Sequence, residues 1–473
     1  TSLVDLMPDP VSPLFATLGI STMLKAMVPL AKHLTRSEPV FQDDYFTVIN
    51  NYMYMNASFT GRMWIWILFG MLPAYPRMLR MLVPFWREEA HPRYQRVVAD
   101  WREKHLEQMS PSELWQGVHQ IMEVAGYYIG ALMFATMGAS AGSEGLLTKI
   151  YDKMARREGD PPAIALLMGW DNLPNRAEKS LYDLAAFCRE DEALNAYVLE
   201  TPSSQLVAKL TGDQLVGEAP TVVWQEFRQR FNQHLDTFGH MIFELDFAKP
   251  LPLDHPEPML EAIKMYLRGE GADPYQRQAA NQERRIHTAQ VTLNRMKGLK
   301  RWVFSKSLNW AQSLSEVRED ALADIGMGYP LLRKMLPIMG ARLVKGGALL
   351  QPGDIFWMEQ EEIQQAVMLL ENGTAPENMQ SQVEQRKAFW QKAKQTAPPP
   401  MLPARKKYLG INTTVWLAES EDSQGAGMLK GVPASPGRVT AAARVLHGAE
   451  DFDKMRPGEV LVAGTTTPAW TPL

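Results

Sequence analysis

The sequence predicts a mainly α protein: a large helical body with one short β-hairpin, then a small strand-rich C-terminal region. Three observations support this. Apolar residues recur at helical spacing through most of the first 395 positions. Prolines and hydroxyl caps punctuate those runs where helices would start. Near Met428 the composition turns to glycine and β-branched residues.

The elements follow in order. Met7-Pro8-Asp9-Pro10-Val11-Ser12-Pro13 is punctuated by prolines, which suit a first helical turn, so a helix starts near Ser12. Phe46–Ile49 and Tyr52–Met55 flank Asn50-Asn51, and asparagine tolerates positive φ, which predicts a tight hairpin. Ser110-Pro111-Ser112-Glu113 reads as a capping box opening a helix with Leu114, Val118, Ile121, Met122 and Ala125 on one face. Further helices are predicted over 160–169, 178–199, 221–238, 256–268, 274–300, 314–345 and 376–395, with Gly346-Gly347 as a stop. Ile355–Met358 reads as a short strand, and Glu361-Glu362 opens another helix. Thr396-Ala397-Pro398-Pro399-Pro400 reads as a semi-rigid linker. The division is therefore a helical body over 1–425, a linker over 396–430, and a separate C-terminal unit over 431–473.

Composition narrows the function classes. The 473 residues are 46% hydrophobic and 22% charged, ordinary for a soluble protein. A net charge of −4 gives no basic footprint for nucleic acid. The lone Cys188 rules out an intrachain disulfide and fits a cytoplasmic setting. Met63–Tyr75 is apolar but interrupted by Pro73 and Pro76, and Val124–Ser143 runs uncharged between Glu123 and Glu144. Both read as core helices, so no membrane span is expected. There is no Walker-type Gly-x-x-x-x-Gly-Lys-Ser/Thr, His-Glu-x-x-His or Gly-x-Ser-x-Gly pattern, and no metal-ligand spacing.

Candidate chemistry lies in three places. Gly239-His240-Met241-Ile242-Phe243-Glu244-Leu245-Asp246 puts a histidine and two acids within seven residues. In an extended segment Glu244 and Asp246 share a face, where they orient His240 or bind a polar group; the bland alternative is a capped helix end with solvated acids. Val317-Arg318-Glu319-Asp320 offers a permanently charged guanidinium for an anion, or a surface ion pair. Met63, Trp64, Trp66, Met71, Met78 and Met81, with Met122, Met133 and Met137, offer an adaptable apolar pocket, or plain core.

The tail carries a resemblance. Gly431-Val432-Pro433-Ala434-Ser435-Pro436-Gly437, Ala443-Arg444-Val445-Leu446, Pro457-Gly458-Glu459-Val460-Leu461-Val462-Ala463 and Thr465-Thr466-Thr467-Pro468-Ala469-Trp470 resemble the opening of the swivelling phosphohistidine domain, a small α/β unit, of the phosphoenolpyruvate (PEP) synthase and rifampicin phosphotransferase family. In that family a Gly-Gly…Ser-His loop follows, and its histidine carries the phosphoryl group. The chain is thus expected to be a fragment lacking that loop and the ATP-grasp domain, and inactive by itself. Gly239, His240, Glu244 and Asp246 resemble the family's Gly-His-Arg…Glu segment, with Met241 in the arginine's place. Arg318-Glu319 resembles its Arg-Glu helix, but Leu322 stands where rifampicin phosphotransferases tend to have lysine, which argues against rifampicin as substrate.

The resemblance implies a dikinase-type phosphotransferase. His240, Arg318 and Glu244 would be catalytic; Asp246, Glu319, Trp64, Trp66 and Met133 would bind a small, partly apolar acceptor. ATP and Mg2+ would serve the intact enzyme, with neither bound by this chain, and an ATP-grasp domain would act in cis or as a separate chain. A condensing synthase of the same architecture and a non-catalytic binder of apolar small molecules are the alternatives.

Overall fold

A computed structural model describes residues 7, 9–40, 45–56, 60–132, 138–212, 221–396, 398–399, 407–408, 411–412, 438–446, 451, 454–456, 458–464, 466 and 470. It is mainly helical. A π-helical turn, Phe15–Gly19, leads into α1 (Ile20–Thr35); then come the hairpin strands β1 (Phe46–Ile49) and β2 (Tyr52–Met55). Next are α2 (Gly61–Trp66), α3 (Leu72–Phe85), α4 (His91–Arg102), α5 (Pro111–Leu132) and α6 (Gly138–Met154). Then follow α7 (Leu173–Arg189), α8 (Glu192–Glu200), α9 (Ser203–Thr211), α10 (Thr221–Phe238) and α11 (Glu257–Leu267). The long α12 (Pro274–Arg295) and α13 (Gly298–Ala323) precede α14 (Tyr329–Lys345), α15 (Gln360–Glu371) and α16 (Gln380–Lys394). Short strands close the chain: β3 (Lys407–Tyr408) with β4 (Ile411–Asn412), and β5 (Ala443–Leu446) with β6 (Val460–Ala463).

The hairpin forms as predicted, with Asn50 at φ 51° and Asn51 at φ 63°. The capping box forms too. Ser110 N–H donates to Glu113 Oε2 at 2.7 Å and Glu113 N–H donates to Ser110 Oγ at 3.2 Å. Ser12 Oγ accepts from Phe15 N–H at 3.2 Å, fixing the first helical turn.

Several expectations are corrected. Ile355–Met358 is not a strand: Pro352–Trp357 is a 3-10 helix, with Gln351 and Asp354 forming its own capping box. It lies so close to α14 that a Cβ on Gly340 would sit 2.0 Å from the Pro352 carbonyl oxygen. The predicted helix over 160–169 is only the 3-10 turn Ala163–Leu166. The predicted 314–345 helix is two helices, broken by the tight turn Asp324–Gly326. α9 was not anticipated. Pro73 does not interrupt its run, because the π-helical turn Ile67–Met71 before it shifts the hydrogen-bond register, and α3 continues through Pro76. No helix among the described residues is long and apolar enough to cross a membrane.

Two apolar cores organise the helical body. One joins the first and last helices: Leu14, Leu18, Val118, Tyr128, Tyr329, Leu332 and Leu336 are buried together. The other belongs to α7–α11, with Leu184, Leu206, Phe227, Phe231 and Ile263 at its centre. α12 and α13 run beside the junction. The candidate residues lie there.

Candidate functional site

The segment after α10 is held from three sides. Tyr329 O–H donates to the Leu245 carbonyl at 2.7 Å, and Arg333 Nη1 donates to the carbonyls of Ala248 and Lys249, each at 3.0 Å. Asp246 is fully occupied by its own chain: it accepts from Ser12 N–H at 2.6 Å, Ser12 Oγ at 3.0 Å and Ala248 N–H at 2.9 Å. It fixes the N-terminal strap to this loop. Gly326 packs directly on the loop, where a Cβ would lie 2.3 Å from the His240 carbonyl oxygen.

His240 is oriented by Asp324, not by Glu244 or Asp246. Its Nε2 lies 2.9 Å from Asp324 Oδ1, and His91 Nε2 lies 2.8 Å from Oδ2 of the same carboxylate. Asp324 follows the last residue of α13, and His91 opens α4 with its ring stacked on Trp86 at 4.8 Å. Burial acts to raise the Asp324 carboxyl, but hydrogen bonds from His240 and His91 outweigh it and hold the group at about 2. An ionised carboxylate only accepts, so both Nε2 atoms carry protons, and Nδ1 is the ring nitrogen of His240 that Asp324 does not engage.

Glu244 lies in a different setting. Its Oε1 is 3.7 Å from Lys249 Nζ, which itself sits 2.6 Å from Asp9. Burial pushes Glu244 up to about 7, against the attraction of Lys249. A carboxyl poised near neutrality can take or give a proton, but this one faces the Asp9–Lys249–Lys394 cluster rather than His240.

Arg318 and Glu319 line a cavity of about 340 Å³ between α7, α12, α13 and the 3-10 turn at 163–166. Arg318 Nε lies 2.9 Å from Glu319 and its Nη1 3.3 Å from Glu144, and all three side chains are about one-third exposed. Asn172, Asn175, Asn281 and Arg277 add polar groups, and Leu167, Met168 and Trp170 form an apolar wall. The Arg285 guanidinium lies 3.4 Å over the Trp170 ring and braces that wall. Such a cavity can receive a molecule with an apolar body and a polar or anionic end.

The structure therefore groups Arg318 with Glu319, holds His240 on Asp324 just past the end of α13 and outside the cavity lining, and sets Glu244 apart. Trp64 is 43% exposed, and Trp66 is buried and donates to Ser37 Oγ at 3.0 Å. Neither lines the Arg318 cavity. Met133 lies outside the described residues. Asp324 and His91 were missed; neither sits in a motif, and only the fold brings them to His240.

The tail reaches the same region. β5 and β6 pair in parallel, which requires the crossover connection over 447–459. Leu446 and Trp470 share an apolar cluster with Ala177, Phe238, Met241, Phe243 and Ala323, the immediate neighbours of His240 and Asp324. Residues 431–437 and His447 lie outside the described residues.

Comparison with known proteins gives the following similarities. Residues 131–319 match the family described as the rifampicin phosphotransferase fourth domain, a span containing His240, Glu244, Asp246, Arg318 and Glu319. The chain is 22% identical over 325 residues to the protein named uncharacterized phosphotransferase YvkC of Bacillus subtilis, covering 65% of this chain and 36% of that one. It is 25% identical over 284 residues to rifampicin phosphotransferase of Streptomyces sviceus, covering 58% and 31%. It is 38% identical over 55 residues to a probable phosphoenolpyruvate synthase of Methanocaldococcus jannaschii, covering 12% and 5%. The chain thus spans only about a third of the two phosphotransferases it matches over more than half its length.

Proposed function

Since this chain is a relative of the PEP-utilising, rifampicin phosphotransferase-like enzymes, we propose that it holds the acceptor end of a phosphoryl transfer that passes through a phosphohistidine. The observation that carries the reading is the Arg318 cavity, which lies inside the span matching the fourth domain and adjoins, through α7, the cluster where the tail packs. ATP and Mg2+ belong to the intact enzyme in this reading, and no residue of this chain is assigned to them.

The acceptor lies against the Trp170 wall, and its hydroxyl reaches toward the last turns of α13. Arg318 attracts the phosphoryl oxygens as charge develops on them. Glu319 and Glu144 hold the guanidinium in place until an anion competes for it. The nitrogen–phosphorus bond of the carrier histidine breaks and an oxygen–phosphorus bond to the acceptor forms. The hydroxyl proton passes to Nδ1 of His240, with Asp324 stabilising the imidazolium that results. Arg318 and Asp324 are about 9 Å apart along the axis but on different sides of it, and His240 does not line the cavity, so the acceptor hydroxyl would have to extend beyond the cavity to meet His240. Leu446 and Trp470 pack with Met241 and Phe243 beside His240, and their displacement would open that side of the loop, as a mobile unit over 431–473 requires. Dependence on ATP and the lone cysteine make the cytoplasm the setting in this reading.

The test uses the intact enzyme. Arg318→Ala and His240→Ala should each lower acceptor-dependent turnover by at least 100-fold while self-phosphorylation of the carrier histidine continues. Turnover at the unaltered rate in either variant would remove that residue from the reaction.

One observation favours a second reading. The chain is also 22% identical over 325 residues to chondramide synthase cmdD of Chondromyces crocatus, 65% of this chain but 8% of that protein. A condensing role predicts a coupled product rather than a free phosphorylated acceptor, which mass spectrometry of the products separates.

A further inference from the structure

A second cavity, of about 290 Å³, lies inside the α7–α11 core and is distinct in lining from the Arg318 cavity except for Arg277, which borders both. Its walls are apolar and sulfur-rich. Met241, Met259 and Met265 line it with Leu181 and Pro252. Set into this wall is His234, only 2% exposed. Its Nδ1 lies 3.0 Å from Ser180 Oγ, and among the described residues no hydrogen bond uses its Nε2. Nε2 is not among the fully buried unpaired atoms, so it is open to the cavity, where a ligand group can replace water on it. Glu178, Glu270 and Arg277 also line it, and the buried Glu178 is already paired with Arg277 and accepts from the Tyr266 hydroxyl.

We propose that this cavity is a second small-molecule site, for an uncharged, flat aromatic ligand bearing one hydroxyl that bonds His234 Nε2. Each part of that description follows from the lining. Methionine sulfurs favour contact with aromatic rings and adapt to their shape. A hydroxyl both donates and accepts, so it satisfies Nε2 in either tautomer that Ser180 selects. Two lining carboxylates, Glu178 and Glu270, against one arginine leave an excess negative charge, which disfavours an anion. Burial pushes His234 down to about 3, so the ring stays neutral across the physiological range and a charged partner gains nothing from it. The volume accommodates a bicyclic ring, within the lower range for ligand pockets.

The site is independent of phosphoryl transfer, so its test needs neither ATP nor an acceptor. The probes are 2-naphthol and naphthalene, titrated into the 473-residue chain and followed by naphthyl fluorescence. Saturable one-to-one binding of 2-naphthol is expected, at least tenfold tighter than naphthalene. Met259→Trp, which fills the cavity, should abolish binding of both probes, and His234→Phe should bring 2-naphthol down to the affinity of naphthalene. Equal affinities for the two probes on the unaltered chain would overturn the proposal, and that comparison does not depend on any variant folding. Unchanged 2-naphthol binding by a Met259→Trp protein that melts cooperatively would overturn it as well.

Discussion

The loop over 239–254 and the last turns of α13 meet at His240, yet they treat their charged groups in opposite ways. In the loop, Glu244 and Asp246 stand two residues apart and both are largely buried. Asp246 receives three hydrogen bonds, while among the described residues Glu244 has only the more distant Lys249 as an ion-pair partner. At the end of α13, Arg318 faces an open cavity, paired with acids that are as exposed as it is. Asp324, six residues on, is bonded on both oxygens. Charge type does not separate a group that holds the fold from one that is available to a ligand. The number of partners and the access to water do.

The largest effects belong to the loop. Asp246→Ala strands the Ser12 and Ala248 amides and should destabilise the chain by about 3 kcal/mol, read from urea unfolding. A loss below about 1 kcal/mol would show that water replaces the carboxylate and that Asp246 is not a clamp. Glu244→Gln should act in the other direction. Because burial lifts the folded carboxyl to about 7 from an ordinary 4.5, ionising it weakens the fold. Its favourable contribution is complete below about pH 4.5 and is lost as pH rises through 7. The glutamine variant should therefore match the parent near pH 4.5 and exceed it by about 3 kcal/mol above pH 8. Parallel stability curves for the two proteins across that range would show that Glu244 is ionised throughout.

How much of this was legible in the sequence depends on how local each feature is. Ser110 and Glu113, or Asn50 and Asn51, form their contacts within four residues, so the spacing alone specifies the helix start and the turn. Residues 355–358 look like a strand because they form a short, wholly apolar run with two aromatics, but Pro352 and the close approach of α14 at Gly340 wind the segment into a 3-10 turn. The break at 324–328 was hidden because α13 and α14 carry continuous apolar patterns on both sides of it. The His240–Asp324 pair spans 84 residues and His91–Asp324 spans 233. No periodicity encodes such a pair. The sequence supported His240 and Arg318 as functional candidates, whereas Asp324 became recognisable only through the packing of α4, α10 and α13.

Smaller effects belong to the α13 end, and they contrast its two charged positions. Asp324 is held at about 2, below its ordinary 3.8, so its contribution is present above about pH 4 and is lost as pH falls through 2. Asp324→Asn should cost about 2 kcal/mol at pH 7, and the difference from the parent should shrink below pH 4. A constant difference down to pH 3 would mean that the two histidines do not stabilise the carboxylate.

Arg318→Ala is the complementary case and the smallest change in stability. The guanidinium and its partners Glu319 and Glu144 are each about one-third exposed, and pairs of that kind contribute little. The variant should unfold within about 0.5 kcal/mol of the parent, even as acceptor-dependent turnover collapses in the intact enzyme. The two measurements together distinguish a residue kept for the fold from one kept for a ligand. If Arg318→Ala destabilised the chain as much as Asp324→Asn, the arginine would belong with the structural pairs, and the cavity it borders would lose its principal anion-binding group.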